Sequence, residues 1–196
     1  MHYLASTELV ERLKREGYDA WTISLWEEWV KRGCEFQSIV AEIRDAFSNV
    51  ELGDGIGMIE ADGYDNCATE DELKRLRAMD ERKRWQNISS NDLNNYYCSF
   101  GFCDGKGGLF LLPAYLLCDL RDEYNFDFVL LKLVNRLADS RNDVPHWLQL
   151  IDRRQGIALC RLLEQLKLHP EYHSESEQFT LAIQAIESSM PATNAG

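Results

Sequence analysis

Residues 126–138, with the sequence FDFVLLKLVNRLA, carry the most apolar helical pattern in the chain. At helical spacing the apolar side chains form one broad inward face, made of Phe126, Val129, Leu130, Leu133, Val134 and Leu137. The remaining narrow stripe is polar and consists of Lys132, Asn135, Arg136 and Asp139. Because a helix that is apolar on most sides is normally central, this segment is predicted to be the core helix.

Helical periodicity continues on both sides of this segment. It predicts helices over residues 7–16, 22–32, 38–47, 70–85, 152–168 and 176–189, a short one after Ser90, and one from Pro113 at its first position to Leu120. Thr69 and Glu72 form a capping box that marks the start of the helix over 70–85. Residues 51–66 hold four glycines and no helical period, so they are predicted to be a loop. Short strands are expected near residues 56–59 and 98–103, within a mainly α fold.

A chain of 196 residues can bury most of its apolar surface in one compact multi-helix domain. We divide it into a helical N-terminal extension (1–34), a helical core domain (35–189) and a disordered tail (190–196), since the last residues lack apolar periodicity.

The charge balance excludes several classes of ligand. The chain has 21 Lys and Arg residues against 33 Asp and Glu residues, a formal net charge of −12. Binding to nucleic acids and to anionic membranes depends on an excess of basic side chains, so neither is expected. The N-terminus has no apolar segment of a secretory signal, and no apolar run approaches the roughly 20 residues of a membrane span. The protein is therefore expected to be cytoplasmic.

The motifs that normally carry enzyme chemistry are missing from the sequence. Gly53, Gly55 and Gly57 alternate, but Glu60 takes the place of the third glycine in a dinucleotide fingerprint. His169 and His173 have the spacing of a zinc-binding helix, but Pro170 between them disfavours the helical backbone. The six cysteines include no C-x-x-C pair and are expected to be free thiols. These patterns predict no cofactor and no metal site.

An acidic interval is the most unusual feature of the chain. Nine carboxylates lie between Asp45 and Leu73, with no Lys, Arg or His among them. Three interpretations stay open: a solvated loop with a capped helix terminus, a negative docking surface for a basic partner, and a Mg²⁺ or Ca²⁺ site. The candidate partner-binding residues are Asp54, Glu60, Asp62, Asp65, Asp80 and Trp85.

Several pieces of the middle of the chain resemble an uncharacterised bacterial family, a domain of unknown function. The pieces are Ile43–Phe47, Leu52–Ile56, Glu60-Ala61, Asp65, Arg77-Ala78, Asp80, Trp85 and Phe110–Tyr115, and the similar region covers residues 39–168. The resemblance implies no activity and no catalytic residues. By analogy, small acidic bacterial domains of this kind look like immunity proteins against toxins.

These observations favour a protein-binding module without enzyme activity, either an immunity protein or another inhibitor. It would cover the cationic active site of a basic toxin or effector with its acidic surface. One alternative is a Mg²⁺-dependent enzyme, which requires that Asp54, Glu60, Asp65 and Asp80 converge on one ion. A second alternative is a structural or adaptor protein, which would show a large apolar patch.

Overall fold

A computed structural model describes residues 3, 5–126, 129–139 and 144–192 of the chain. This part is helical and contains no β-strand, so the predicted mainly α fold is confirmed. The α-helices are α1 (Thr7–Arg15), α2 (Ala20–Lys31), α3 (Gly33–Ala46), α4 (Met58–Asp65), α5 (Glu70–Met79), α6 (Ser90–Asn95), α7 (Gly105–Asp119), α8 (Val129–Ala138), α9 (Arg153–Leu166) and α10 (Ser176–Ser189). Short 3₁₀ helices cover Trp85–Asn87, Ser99–Gly101, His146–Leu150 and Pro170–Glu175.

The central helix is α7. Twelve of its 15 residues are buried, so every side of the helix faces the protein interior. Pro113 lies inside this helix, so the prediction that it occupies the first helical position is wrong. The helix begins at Gly105, because the side chain of Asp104 accepts a hydrogen bond from the Gly107 N–H over 2.7 Å. Its glycines permit close packing: a Cβ on Gly107 would lie only 2.0 Å from the carbonyl oxygen of Ile56.

Helix α8 lies beside α10 rather than at the centre, which corrects the prediction for residues 126–138. It buries Leu130, Leu133, Val134 and Leu137, and it exposes the predicted polar stripe. Residues 127–128 of the predicted helix lie outside the described residues. The helix is therefore amphipathic, and α7 takes the fully buried position.

Helix α2 and Tyr3, which precedes α1, pack against the 3₁₀ helix Pro170–Glu175 and its flanking His169 through aromatic side chains. The indole N–H of Trp29 donates to the carbonyl oxygen of Tyr3 over 2.9 Å, and the Trp29 ring meets the buried His169 ring edge-on at 4.7 Å. The hydroxyls of Tyr3 and Tyr172 share a hydrogen bond. The predicted extension, residues 1–34, thus contributes Tyr3, Trp26 and Trp29 to the hydrophobic core.

Both predicted strands are wrong. Residues 56–59 lead into α4, which begins at Met58, and residues 98–103 contain the 3₁₀ helix Ser99–Gly101. The loop predicted over 51–66 is therefore helical in its second half. The predicted helix 70–85 ends at Met79, because the backbone of Asp80 is extended (φ −65°, ψ 138°).

None of the described helices has the length and apolar character that crossing a membrane requires. Residues 193–196 of the predicted tail lie outside the described residues.

Candidate functional site

The glycine-rich loop (residues 51–57) lies within the acidic interval and is held by two arginines. Arg82 Nη2 donates to the carbonyl oxygens of Gly53 and Gly55, and Arg77 Nη2 donates to that of Asp54. The loop thus presents carbonyl oxygens to guanidinium groups. A phosphate cradle would instead present N–H groups to an anion, so this loop has a structural role.

Glu60 lies inside the protein, with only 6% of its side chain exposed. Arg77 Nη1 donates to both of its carboxylate oxygens, over 3.1 Å and 2.9 Å. The pair joins α4 to α5, and a buried carboxylate needs such a partner because removal from water is costly. Glu60 is consequently not available to a binding partner.

Asp80 caps the N-terminus of α4 from a different segment of the chain. Its carboxylate accepts from the N–H groups of Ile59 and Glu60, over 2.7 Å and 3.2 Å. Burial raises the pKa of this carboxyl, although the two N–H donors oppose that shift. Gly57 makes the approach possible, since a Cβ there would lie 2.3 Å from Asp80 Cγ. A negative charge at a helix N-terminus is stabilising.

Two further predicted residues also have partners within the protein. Trp85 is buried, and its indole N–H donates to the carbonyl oxygen of Phe47 over 2.8 Å. Asp54 is exposed and forms an ion pair with Lys106, whose hydrogen bond lowers the pKa of that carboxyl. Of the six candidates, Asp62 and Asp65 of α4 remain, and neither forms an ion pair within the described part of the chain.

An exposed pair of stacked aromatic rings was missed at the sequence level. Tyr97 and Phe126 are 50% and 42% exposed, and their rings lie nearly parallel (15°) with centroids 4.1 Å apart. Tyr97 follows α6, and Phe126 precedes α8 in the chain. No periodicity joins two residues so far apart in sequence, so only the fold reveals the pair.

Tyr97 of the stacked pair lies within electrostatic range of two acids of α4, the exposed Asp65 and the half-buried Asp62. The pKa of the Tyr97 hydroxyl is raised, mainly by the neighbouring Cys98 side chain, then by burial, and further by the negative charges of Asp65 and Asp62. Helix α4 also packs beside the 3₁₀ helix Ser99–Gly101. We call the surface made of Asp62, Asp65, Tyr97 and Phe126 the aromatic–acidic face.

The carboxylates do not converge on a cation site. In the described ranges, no three His, Cys, Asp or Glu side chains lie close enough together to hold a metal ion. Asp54 pairs with Lys106 and Asp80 caps α4, so the convergence with Glu60 and Asp65 that the Mg²⁺ alternative required is not present among these residues.

A family model with the description "Family of unknown function (DUF6714)" matches residues 35–188. Neither the curated proteins nor the solved structures contain a significant match to the chain. The matched region includes the glycine-rich loop, the Glu60–Arg77 pair and the aromatic–acidic face, and it begins after α2.

Proposed function

The chain belongs to the family of unknown function DUF6714, and from its own surface we propose that it is a protein-binding module for a basic partner. Such a module acts as an immunity protein or as another inhibitor of its partner. The partner docks on the aromatic–acidic face. The single observation that carries this proposal is the stacked, half-exposed pair of Tyr97 and Phe126, with α4 and its carboxylates Asp62 and Asp65 packed against the 3₁₀ helix that follows Tyr97.

The two kinds of side chain on this face have complementary roles in binding. Aromatic rings that become buried supply most of the affinity of many protein interfaces, whereas charged groups at the rim set the rate and the choice of partner. Tyr97 and Phe126 already hold each other in one orientation. They therefore lose little side-chain entropy when a partner covers them.

A basic partner is favoured over a neutral one by charge at two length scales. The net charge of −12 attracts cations from a distance and accelerates their encounter with the protein. At contact, Asp62 and Asp65 accept hydrogen bonds from Lys or Arg side chains. The faces of Tyr97 and Phe126 add cation–π attraction. Inhibition then follows if the basic surface that is covered includes the partner's active site.

The experiment that tests this proposal is photo-cross-linking in the cells that naturally make the protein. A photoreactive p-benzoylphenylalanine replaces Tyr97, and a matched control carries it at Tyr18, which is also 50% exposed and belongs to the N-terminal region. We expect a covalent adduct with one basic protein from position 97 and none from position 18. Adducts of equal yield at both positions, an acidic partner or no adduct at position 97 would contradict the proposal.

A further inference from the structure

A cavity of about 310 Å³ opens beneath Tyr97. It lies between the 3₁₀ helix Ser99–Gly101, α7, the start of α8 and the 3₁₀ helix His146–Leu150. At ~30 Å³ for each water of the liquid, this volume equals about ten waters, which is the size of a small aromatic molecule. Binding pockets for small molecules begin at about this size.

The walls of the cavity are mainly aromatic. Phe100 meets Tyr115 edge-on at a centroid distance of 5.6 Å, and Tyr115 meets Tyr124 edge-on at 5.7 Å. The Tyr115 hydroxyl donates to the carbonyl oxygen of Tyr96 over 2.8 Å, so it already has an acceptor. The rings therefore present apolar faces and edges, which favour a flat, unsaturated ligand.

One buried donor in this lining lacks an acceptor. Trp147 is 4% exposed, and its Nε1–H finds no hydrogen-bond partner within the described part of the chain. The rest of the ring is well packed, because its Cδ1 edge lies against Gly108 of α7. A buried indole N–H normally has an acceptor, and a ligand in the cavity that Trp147 lines can supply one.

The charged side chains of the lining are basic. Lys132 and Arg136 lie one turn apart on α8, and the described lining residues include neither Asp nor Glu. Two cationic side chains and a buried N–H donor without an acceptor in one lining favour a ligand with a negatively charged acceptor group. We propose that this cavity binds a small aromatic carboxylate. Its ring lies among Phe100, Tyr115 and Tyr124, and its carboxylate meets Lys132, Arg136 and the Trp147 N–H.

This cavity is a different site from the aromatic–acidic face, although Tyr97 borders both. The test uses three carboxylate probes: benzoate, phenylacetate and indole-3-carboxylate. The control compound is indole-3-carboxamide, which has the same ring as indole-3-carboxylate but no charge. Each compound is titrated into protein labelled with ¹⁵N at its indole nitrogens, and Trp147→Phe identifies the Trp147 signal. We expect at least one carboxylate to shift that signal saturably, and the carboxamide to bind at least tenfold more weakly.

Two variants separate a ligand site from a change in folding. Arg136→Gln removes a charge from an exposed helix face, and Trp147→Phe keeps a buried aromatic ring, although a smaller one, and removes the donor. Each should weaken binding by about tenfold, as expected for a hydrogen bond to a charged group. Calorimetric titration measures the affinity of both variants, because Trp147→Phe has no Trp147 signal, and the melting temperature confirms folding. Lys31→Gln on α2, outside the cavity, should bind as the wild type does. Saturable shifts for none of the carboxylates, or equal affinity for the carboxamide, would overturn the proposal.

Discussion

Arg77 Nη1 donates to both carboxylate oxygens of Glu60, over 3.1 Å and 2.9 Å, while its Nη2 donates to the carbonyl oxygen of Asp54. One side chain of α5 thereby holds both α4 and the glycine-rich loop. The acidic interval is consequently divided in function. The residues that Arg77 holds serve the internal structure, whereas Asp62 and Asp65 of α4 belong to the aromatic–acidic face.

The Arg77–Glu60 pair should be a major source of stability. Arg77→Ala leaves the Glu60 carboxylate buried without its partner, which we expect to cost about 2–3 kcal/mol of unfolding free energy. This value is at the lower end for buried pairs, because 37% of the Arg77 side chain is exposed and water screens part of the attraction. Urea unfolding measures the loss.

Arg75→Ala is the matched control, because Arg75 is an exposed arginine on the same helix. It should change the unfolding free energy by less than about 0.5 kcal/mol. Equal losses for the two variants would mean that Glu60 does not depend on Arg77.

Gly107 should tolerate no side chain. In Gly107→Ala the new Cβ would lie 2.0 Å from the Ile56 carbonyl oxygen, so α7 and the glycine-rich loop must separate. Since backbone atoms cannot rotate away, we expect a loss above about 3 kcal/mol, as for severe overpacking. In Gly33→Ala the Cβ meets no described heavy atom within 4 Å, so thermal unfolding should show little change or a gain. Similar melting temperatures for both variants would refute the close packing.

Because of Asp119, the free energy of unfolding should fall as the pH rises. Burial raises the pKa of its carboxyl above the ordinary value of 3.8, although the Leu130 N–H donates to it over 3.0 Å. Between 3.8 and the raised pKa, the folded chain holds a proton that the unfolded chain releases, so this contribution is lost as pH increases through that interval.

Asp119→Asn keeps an acceptor oxygen for Leu130 and removes the charge. We expect the variant to be more stable than the wild type at neutral pH, with a difference that shrinks as the pH is lowered toward 3.8. Urea unfolding of both proteins across this range gives the difference directly. A difference that stays constant or grows toward acid pH would show that Asp119 is not destabilised by its burial.

Local patterns predicted some helices accurately. The capping box of Thr69 and Glu72 is present, with Thr69 N–H donating to Glu72 over 2.8 Å. Helix α10 has the predicted bounds, residues 176–189. In both regions the hydrogen bonds and the apolar stripe that define the helix lie within a few residues of each other, so the sequence contains the necessary information.

Contacts between distant segments account for the errors. The glycines before Leu109 are typical of a turn, but they form the first turn of α7, which Asp104 caps. Glycine is required at positions 107 and 108 because Ile56 and Trp147 approach too closely for side chains. Helix α4 was predicted as loop and strand, because its N-terminal cap comes from Asp80, more than one helix away. The Tyr97–Phe126 pair likewise exists only after α6 and α8 have packed on α7.

The central claim is that the aromatic–acidic face recruits a basic protein, and the association rate of the partner cross-linked through position 97 tests it most directly. The rate is measured by stopped flow near 10 mM and near 300 mM salt, where the screening length falls from about 30 Å to about 6 Å. The variant Asp62→Lys/Asp65→Lys is compared with Glu28→Lys/Glu35→Lys, which makes the same charge change at exposed positions of α2 and α3. We predict that the first variant associates at least tenfold more slowly at low salt and approaches the wild-type rate at high salt, with a smaller effect for the control. Equal rates for the two variants at low salt would contradict the account.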